Sequence, residues 1–174
     1  MKSNIKKELI TYLKIIVAGV VIAVLLNKFV IINADITSES MKDTLQKGDK
    51  LIGFRLAYLF SEPERGDVII FRYPDDEETL LVKRIIGLPG EMVIIEDGKV
   101  YINGSEEPLT ESYVLGTPSG DFGPYLIPAG CYFVLGDNRN NSKDSRYWHN
   151  TYVTDKQIVA KPLFGYYQGF KIIE

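Results

Sequence analysis

One apolar run dominates the chain, Ile15 to Leu26, reading Ile-Ile-Val-Ala-Gly-Val-Val-Ile-Ala-Val-Leu-Leu. Asn27-Lys28 interrupts it and Phe29-Val-Ile-Ile32 resumes it, giving 18 residues in all, at the lower edge of a membrane-spanning helix of ~20 residues. The run has no polar face, which argues against a core helix. Lys28 lies near its far end, where the stem can follow the lipid while the ammonium reaches the interface. From Asp35 onward short apolar segments alternate with turn residues. Lys50–Gly53 is one candidate strand. The Arg65-Gly66-Asp67 turn leads into Val68–Arg72, Pro74–Glu78 forms a charged loop, and Leu80–Ile86 returns, which predicts a hairpin. Met92–Glu96, the Asp97-Gly98 turn and Val100–Asn103 predict a second, Asp-Gly being a strong two-residue turn signal. Residues 104–130 are rich in Gly, Pro and Ser and read as a loop or small subdomain. Cys131–Leu135 is the next strand, a polar stretch covers 136–146, and Gln157–Ala160 and Gly169–Ile173 predict closing strands. The expected fold is one N-terminal transmembrane helix followed by a mostly β domain of antiparallel sheet.

Charge sharpens the division of the chain. Residues 1–14 carry +3, and with a total of -3 the remainder carries -6. Lysines ahead of the run predict a cytoplasmic N-terminus (1–14), an anchor over 15–33 and an extracytoplasmic body over 34–174. A cleaved signal peptide is the alternative, since a charged start and a short apolar core also fit one. It lacks a clean Ala-x-Ala site, because Ile32 stands at the -3 position relative to Ala34. The acidic body is not suited to nucleic acid. The chain has one cysteine, Cys131, and one histidine, His149. That excludes an internal disulfide, a multi-cysteine metal site and a zinc site built on several histidines. No metal or cofactor is called for.

Candidate chemistry lies just beyond the apolar run, in Thr37-Ser38-Glu39-Ser40-Met41-Lys42-Asp43-Thr44-Leu45. Ser38 and Ser40 are two apart, so an extended backbone puts their hydroxyls on one face. Serine-rich segments are also ordinary loops and helix caps. A nucleophile needs a base, and Lys83 is the residue out of place, set between Leu80-Leu81-Val82 and Ile85-Ile86. It can be an edge-strand lysine that guards against aggregation. It can also be an amine buried among aliphatic groups, where desolvation favours the neutral form that accepts a proton from a serine. On a strand Lys83 and Arg84 face opposite sides, so one must approach the core unless the strand is an edge. The stretch from Gly136 to Trp148 is dense in hydrogen-bonding side chains. It reads either as a solvated loop or as one braced by pairs among Asp137, Arg139, Asp144 and Arg146, holding a hydroxyl such as Ser142 in place.

Together these segments resemble the type I signal peptidases, membrane-anchored serine proteases that remove signal peptides. The resemblance rests on four blocks in order after an anchor: Ser38–Leu45, Arg65–Pro74, Val82–Glu91 and Gly136–Arg146. It runs from the anchor to about Ala160 and leaves 104–130 as the variable part. It implies an antiparallel β catalytic domain of the signal peptidase type, with Ser40 as nucleophile and Lys83 as general base. The Ser40 backbone N–H and the Ser38 hydroxyl would hold the oxyanion. Ser142 would orient Lys83, Met41 would line the nucleophile turn, and Asp137, Arg139, Asp144 and Arg146 would be structural supports. The implied reaction is cleavage after an Ala-x-Ala-like site in exported preproteins. Ile36, Met41 and residues around Ile85 are the candidate pocket walls. The implied partners are the signal peptides of secreted preproteins and the lipid bilayer, with the secretion translocon as a further candidate. The lysine base, single anchor and small size resemble the bacterial, Gram-positive form.

The chain departs from the family pattern at Asp43, where Pro is usual, at Glu39, where Gly or Asp is common, and at His149, where Gly is usual. His149 is expected on a surface loop. Two other classes fit parts of the sequence. A self-cleaving Ser-Lys regulator would carry a DNA- or partner-binding segment where the apolar run stands. A silent, anchored β-domain that binds exported chains would have no need of Ser40, Lys83 and Ser142 together.

Overall fold

The computed structural model describes residues 2–42, 44–114, 116–166 and 169–173, with side chains from residue 7 onward. Asp43 lies outside the described residues. Helix α1 (Lys2–Phe29) contains a 23-residue apolar segment, Lys7–Phe29, none of it buried. At ~1.5 Å per residue that segment matches a hydrocarbon layer of ~30 Å. The helix stops short of the end of the apolar run. Val30 donates its N–H back to Leu26 O at 2.9 Å and accepts from Arg55 N at 2.9 Å. Strand β1 (Ile31–Asp35) begins directly afterwards. The last two isoleucines of the run therefore belong to a sheet and not to the helix. Ile32 is buried against Ile70 and Ala160, and packing of that kind overrides helical continuation for a β-branched residue.

The remaining strands are β2 (Lys50–Phe54), β3 (Val68–Arg72), β4 (Leu80–Gly87), β5 (Met92–Glu96), β6 (Lys99–Ile102), β7 (Phe122–Leu126), β8 (Cys131–Leu135), β9 (Val153–Thr154), β10 (Ile158–Gly165) and β11 (Lys171–Ile172). The larger sheet runs β1-β2-β10-β3-β4-β8-β9, with β11 on β10, and the smaller runs β6-β5-β7. All pairings are antiparallel. Both expected hairpins are present, and Asp97 and Gly98 take the positive φ angles, 48° and 72°, that a tight turn demands. Strand β7 lies inside 104–130 and was not expected. Its sequence, Phe-Gly-Pro-Tyr-Leu, contains the two residues that most obscure a strand pattern.

The apolar runs of β3 and β4 are continuous because both faces are covered. Ile69, Phe71 and Ile85 join Val134, Trp148 and Val153 on one face. On the other, Ile86, Phe133 and Leu135 pack under the small sheet with Val93, Val100 and Ile127. A further cluster of Ile36, Met41, Leu45, Leu51, Val68 and Ile173 lies beneath the serine segment. Gly87 sits where the small sheet crosses β4. A Cβ there would lie 2.6 Å from Val93 Cγ2 and closer still to Ile127 Cδ1. Gly87→Ala is expected to destabilise the fold by about 1–3 kcal/mol through overpacking, read as a lower urea midpoint of the detergent-solubilised chain with unchanged slope.

Candidate active site

Ser40 closes the extended stretch that follows β1, in a tight turn made by Lys42 N donating to Glu39 O and Leu45 N to Met41 O. Met41 and Leu45 anchor the turn in the cluster below, at 2% and 0% exposure. Lys83 comes from β4, opposite Ile69 of β3. Its Nζ lies 2.5 Å from Ser40 Oγ, and Ser38 Oγ lies 3.2 Å from the same hydroxyl. Ser40 and Lys83 are 6% and 3% exposed. Burial pulls the Lys83 amine down from its usual value to about 8, against the opposing pull of Asp144 and Asp137. Lys83 is thus a buried lysine on a strand that is an edge for half its length. β8 pairs with β4 from Arg84 onward, and among the described residues no strand covers Leu80–Lys83 on that side. Arg84 is buried as well, at 4% exposure, so both neighbours approach the interior rather than one.

The Gly136–Trp148 stretch is braced, though two of the four charged residues find partners elsewhere. Asp144 and Arg146 do pair, through Nε to Oδ1 at 2.8 Å and Nη2 to Oδ2 at 2.9 Å, and Asp144 Oδ2 also accepts from Gly136 N at 3.0 Å. Asp137 instead receives Arg84 Nε at 2.9 Å and Nη2 at 2.8 Å, together with Thr44 Oγ1 at 2.5 Å. Arg139 pairs with Glu111, from the 104–130 segment. Asn138 donates its N–H to Ser40 O at 3.0 Å and its Nδ2 to Glu39 O at 3.0 Å, which seats the serine turn on this loop. Gly136 permits the close approach: a Cβ there would lie 2.5 Å from Ser40 O and closer still to Ser142 Oγ.

Ser142 is buried at 7% exposure and lines the same cleft as Ser40 and Lys83. Among the described residues its hydroxyl has no hydrogen-bond partner, so the expected bond to Lys83 is not present, and the amine meets Ser40 instead. The cleft, of about 950 Å³, is lined by Ser38, Glu39, Tyr73, Leu81, Lys143 and Trp148 among others. Of the expected pocket walls, Ile36 and Met41 lie in the cluster under the turn and Ile85 lies in the core beside Trp148. His149 is exposed, with its backbone N–H on Asp75. Cys131 is a free, half-buried thiol at the edge of the core below the small sheet. Among the described residues no group of His, Cys, Asp and Glu is placed to hold a metal ion.

Sequence reasoning saw that Lys83 or Arg84 must approach the core but gave Arg84 no role, and it did not single out Thr44, Glu111 or Gly136. Arg84 was detectable, since a second charge inside an apolar strand asks for a buried partner. Thr44 and Glu111 gave no signal, because their partners lie 93 and 28 residues away. Asp137→Ala would leave Arg84 buried without its carboxylate. It is expected to destabilise the chain by about 3–5 kcal/mol, measured by urea unfolding.

The family described as signal peptidase, peptidase S26, matches residues 9–167. The signal peptidase I of Bacillus licheniformis is 37% identical over 166 residues, covering 91% of this chain and 88% of that one. That of Leptolyngbya laminosa is 41% identical over 157 residues, covering 86% and 75%. A probable signal peptidase I-2 of Synechocystis sp. is 41% identical over 140 residues, covering 78% of this chain and 63% of its own length. A crystal structure of a signal peptidase I from Enterococcus faecalis V583 aligns at 35% identity with a TM-score of 0.49, covering 58% of this chain and 97% of that one. A family model that matches most of the chain, with relatives at 37% and 41% identity beside it, is a family relationship: the chain belongs to the signal peptidase family, peptidase S26, and is a peptidase with one N-terminal apolar helix.

Proposed function

We propose that this peptidase removes N-terminal signal peptides from exported preproteins after an Ala-x-Ala-like site, with Ser40 as nucleophile and Lys83 as general base. The observation that carries the reading is a dry amine 2.5 Å from a buried serine hydroxyl. Lys83 takes the Ser40 proton as Oγ attacks the carbonyl carbon of the scissile bond. The oxyanion faces the Ser40 N–H and the Ser38 hydroxyl. The lysine ammonium then gives its proton to the departing amide nitrogen, leaving the signal peptide as an ester on Ser40. A water attacks that ester as Lys83 removes its proton, and the proton returns to Ser40 when the signal peptide leaves. Once Ser40 is acylated the amine loses its present partner, and the Ser142 hydroxyl, which lines the same cleft and has no hydrogen-bond partner among the described residues, can hold and orient it. Asp137, Arg139, Asp144 and Arg146 act as supports of the loop that carries Ser142.

The uncovered half of β4 gives the substrate a place. An extended peptide can add alongside Leu80–Lys83, between that edge and the Ser38–Ser40 stretch, with Leu81 and Trp148 as apolar wall. In this reading α1 anchors the chain with residues 1–14 in the cytoplasm and residues 34–174 outside. Holding enzyme and signal peptide in one bilayer raises their effective concentration for each other. The secretion translocon, which delivers the substrate, is a natural neighbour.

The test is turnover of a preprotein or signal-peptide substrate in detergent or liposomes. Ser40→Ala and Lys83→Ala are expected to lose about 10⁴-fold or more in kcat. Processing at the wild-type rate by either variant overturns the dyad. Ser38→Ala is expected to lose about 10²–10³-fold, as for one oxyanion donor. The pH profile follows from the amine. Only neutral Lys83 accepts a proton, so kcat/KM should rise with pH and level off above about 8. Stability has a linked sign. The folded value of about 8 lies below the ordinary 10.5, so between those pH values the unfolded chain binds more protons, and this group makes the fold more stable as pH rises.

A further inference from the structure

We propose that the 104–130 segment is a positioning device for the catalytic pair, with Glu111 and Tyr113 as the residues that hold Arg139 and Arg84. The inference rests on the Ser40–Lys83 reading and adds two residues to it. Glu111 accepts from Arg139 Nη1 at 2.9 Å and from Nη2, and the two side chains are 9% and 3% exposed. Its Oε1 also accepts from Tyr113 OH at 2.9 Å. The Tyr113 ring in turn lies 4.0 Å from the Arg84 guanidinium carbon, a stacking distance. One Glu-Tyr pair therefore braces two arginines. Arg84 follows Lys83 directly on β4. Arg139 bonds Gly136 O at 3.1 Å, and its own carbonyl accepts from Arg146 Nη2 at 2.6 Å, so it ties both ends of the loop that carries Ser142.

The same segment grips this loop at two more points. Asn140 donates to Thr117 O at 3.0 Å and accepts from Ser119 N at 3.2 Å. Phe122 lies under Arg146, 5.4 Å from its guanidinium carbon, and edge-on to Tyr147 at 5.5 Å. The contacts fall on the residues that flank Ser142 and on the neighbour of Lys83. Charge makes the arrangement consequential for chemistry. Asp144, Asp137 and Arg146 act directly on Lys83, and Glu39, Asp76 and Lys143 line the cleft around it. Glu111 cancels the buried charge of Arg139. Without it, Arg139 offers an unopposed cation to Asp137, one of the carboxylates that favours protonated Lys83.

The experiment uses the full chain in detergent micelles with a signal-peptide substrate, measuring kcat, KM, the pH profile and the melting temperature. Glu111→Gln should lower kcat about tenfold or more, in line with a lost charged hydrogen bond, while KM stays within about twofold. The cleft walls Tyr73 and Leu81 come from elements that Glu111 does not touch. The acidic limb should move to lower pH. Glu111→Gln combined with Arg139→Gln removes both buried charges and should recover part of kcat and return the limb toward its wild-type position. A folded Glu111→Gln protein with unchanged kcat and limb overturns the proposal, as does a loss with no limb shift and no recovery in the double variant. Should Glu111→Gln fail to fold, Tyr113→Leu decides, since it keeps the ion pair and removes the stack on Arg84. A lowered kcat supports the proposal and an unchanged one overturns it. If the wild-type chain does not cleave the substrate, the catalytic reading fails. The clamp is then judged by NMR titration of Lys83 in lysine-labelled protein, where Glu111→Gln must still lower the midpoint or the clamp fails too.

Discussion

The two carboxylate oxygens of Asp137 hold the site together. They receive Thr44 from the serine turn and both Nε and Nη2 of Arg84 from the strand that carries Lys83, while Asp137 itself belongs to the loop that carries Ser142. Three segments far apart in the chain converge on one buried charge. A buried carboxylate is tolerable only when its lone pairs are filled, and here a bidentate guanidinium and a hydroxyl fill them. The arrangement is therefore close to all-or-none. A small displacement of any segment leaves a charge unmatched in the interior, and that penalty keeps the Ser40–Lys83 separation narrow.

The environment that makes Lys83 useful is costly in the same currency. A lysine among Leu81, Ile85 and Trp148 cannot easily remain charged, and the nearby Asp144 and Asp137 offset only part of the desolvation. The site thus stands between two failures. In the proposed reaction, an amine with less burial would stay protonated and be no base, and one with less negative charge nearby could not carry the proton between the attack of Ser40 and the departure of the leaving group. Asp137 and Asp144 set that balance while they are engaged with arginines, which keeps them from pairing with Lys83 outright.

Local pattern made much of this legible. The apolar run, the two hairpins and the Asp97-Gly98 turn follow from short-range periodicity and turn chemistry, and the sheet bears them out. The serine segment, the misplaced lysine and the polar loop were visible as anomalies, and their resemblance to a known family joined them. What escaped notice depended on distance. Ile31 and Ile32 continue the composition of the helix, and only their packing against Ile70 and Ala160 marks them as strand. Strand β7 is disguised by Gly123 and Pro124. The pairing of Arg139 with Glu111 and of Asp137 with Arg84 was hidden because a charge in a sequence does not name its partner.

Val30 is the single residue between helix and sheet, and both of its backbone polar groups are spoken for, one by the helix and one by Arg55. Arg55 Nε also reaches Ile31 O at 3.2 Å. The junction is a rivet and not a swivel. A body joined by a loose tether samples many heights and headings above a bilayer, whereas one riveted to its anchor inherits the anchor's tilt. In the proposed membrane-anchored arrangement, lipid thickness, which sets how far such a helix leans, becomes a lever on where the cleft meets its peptide.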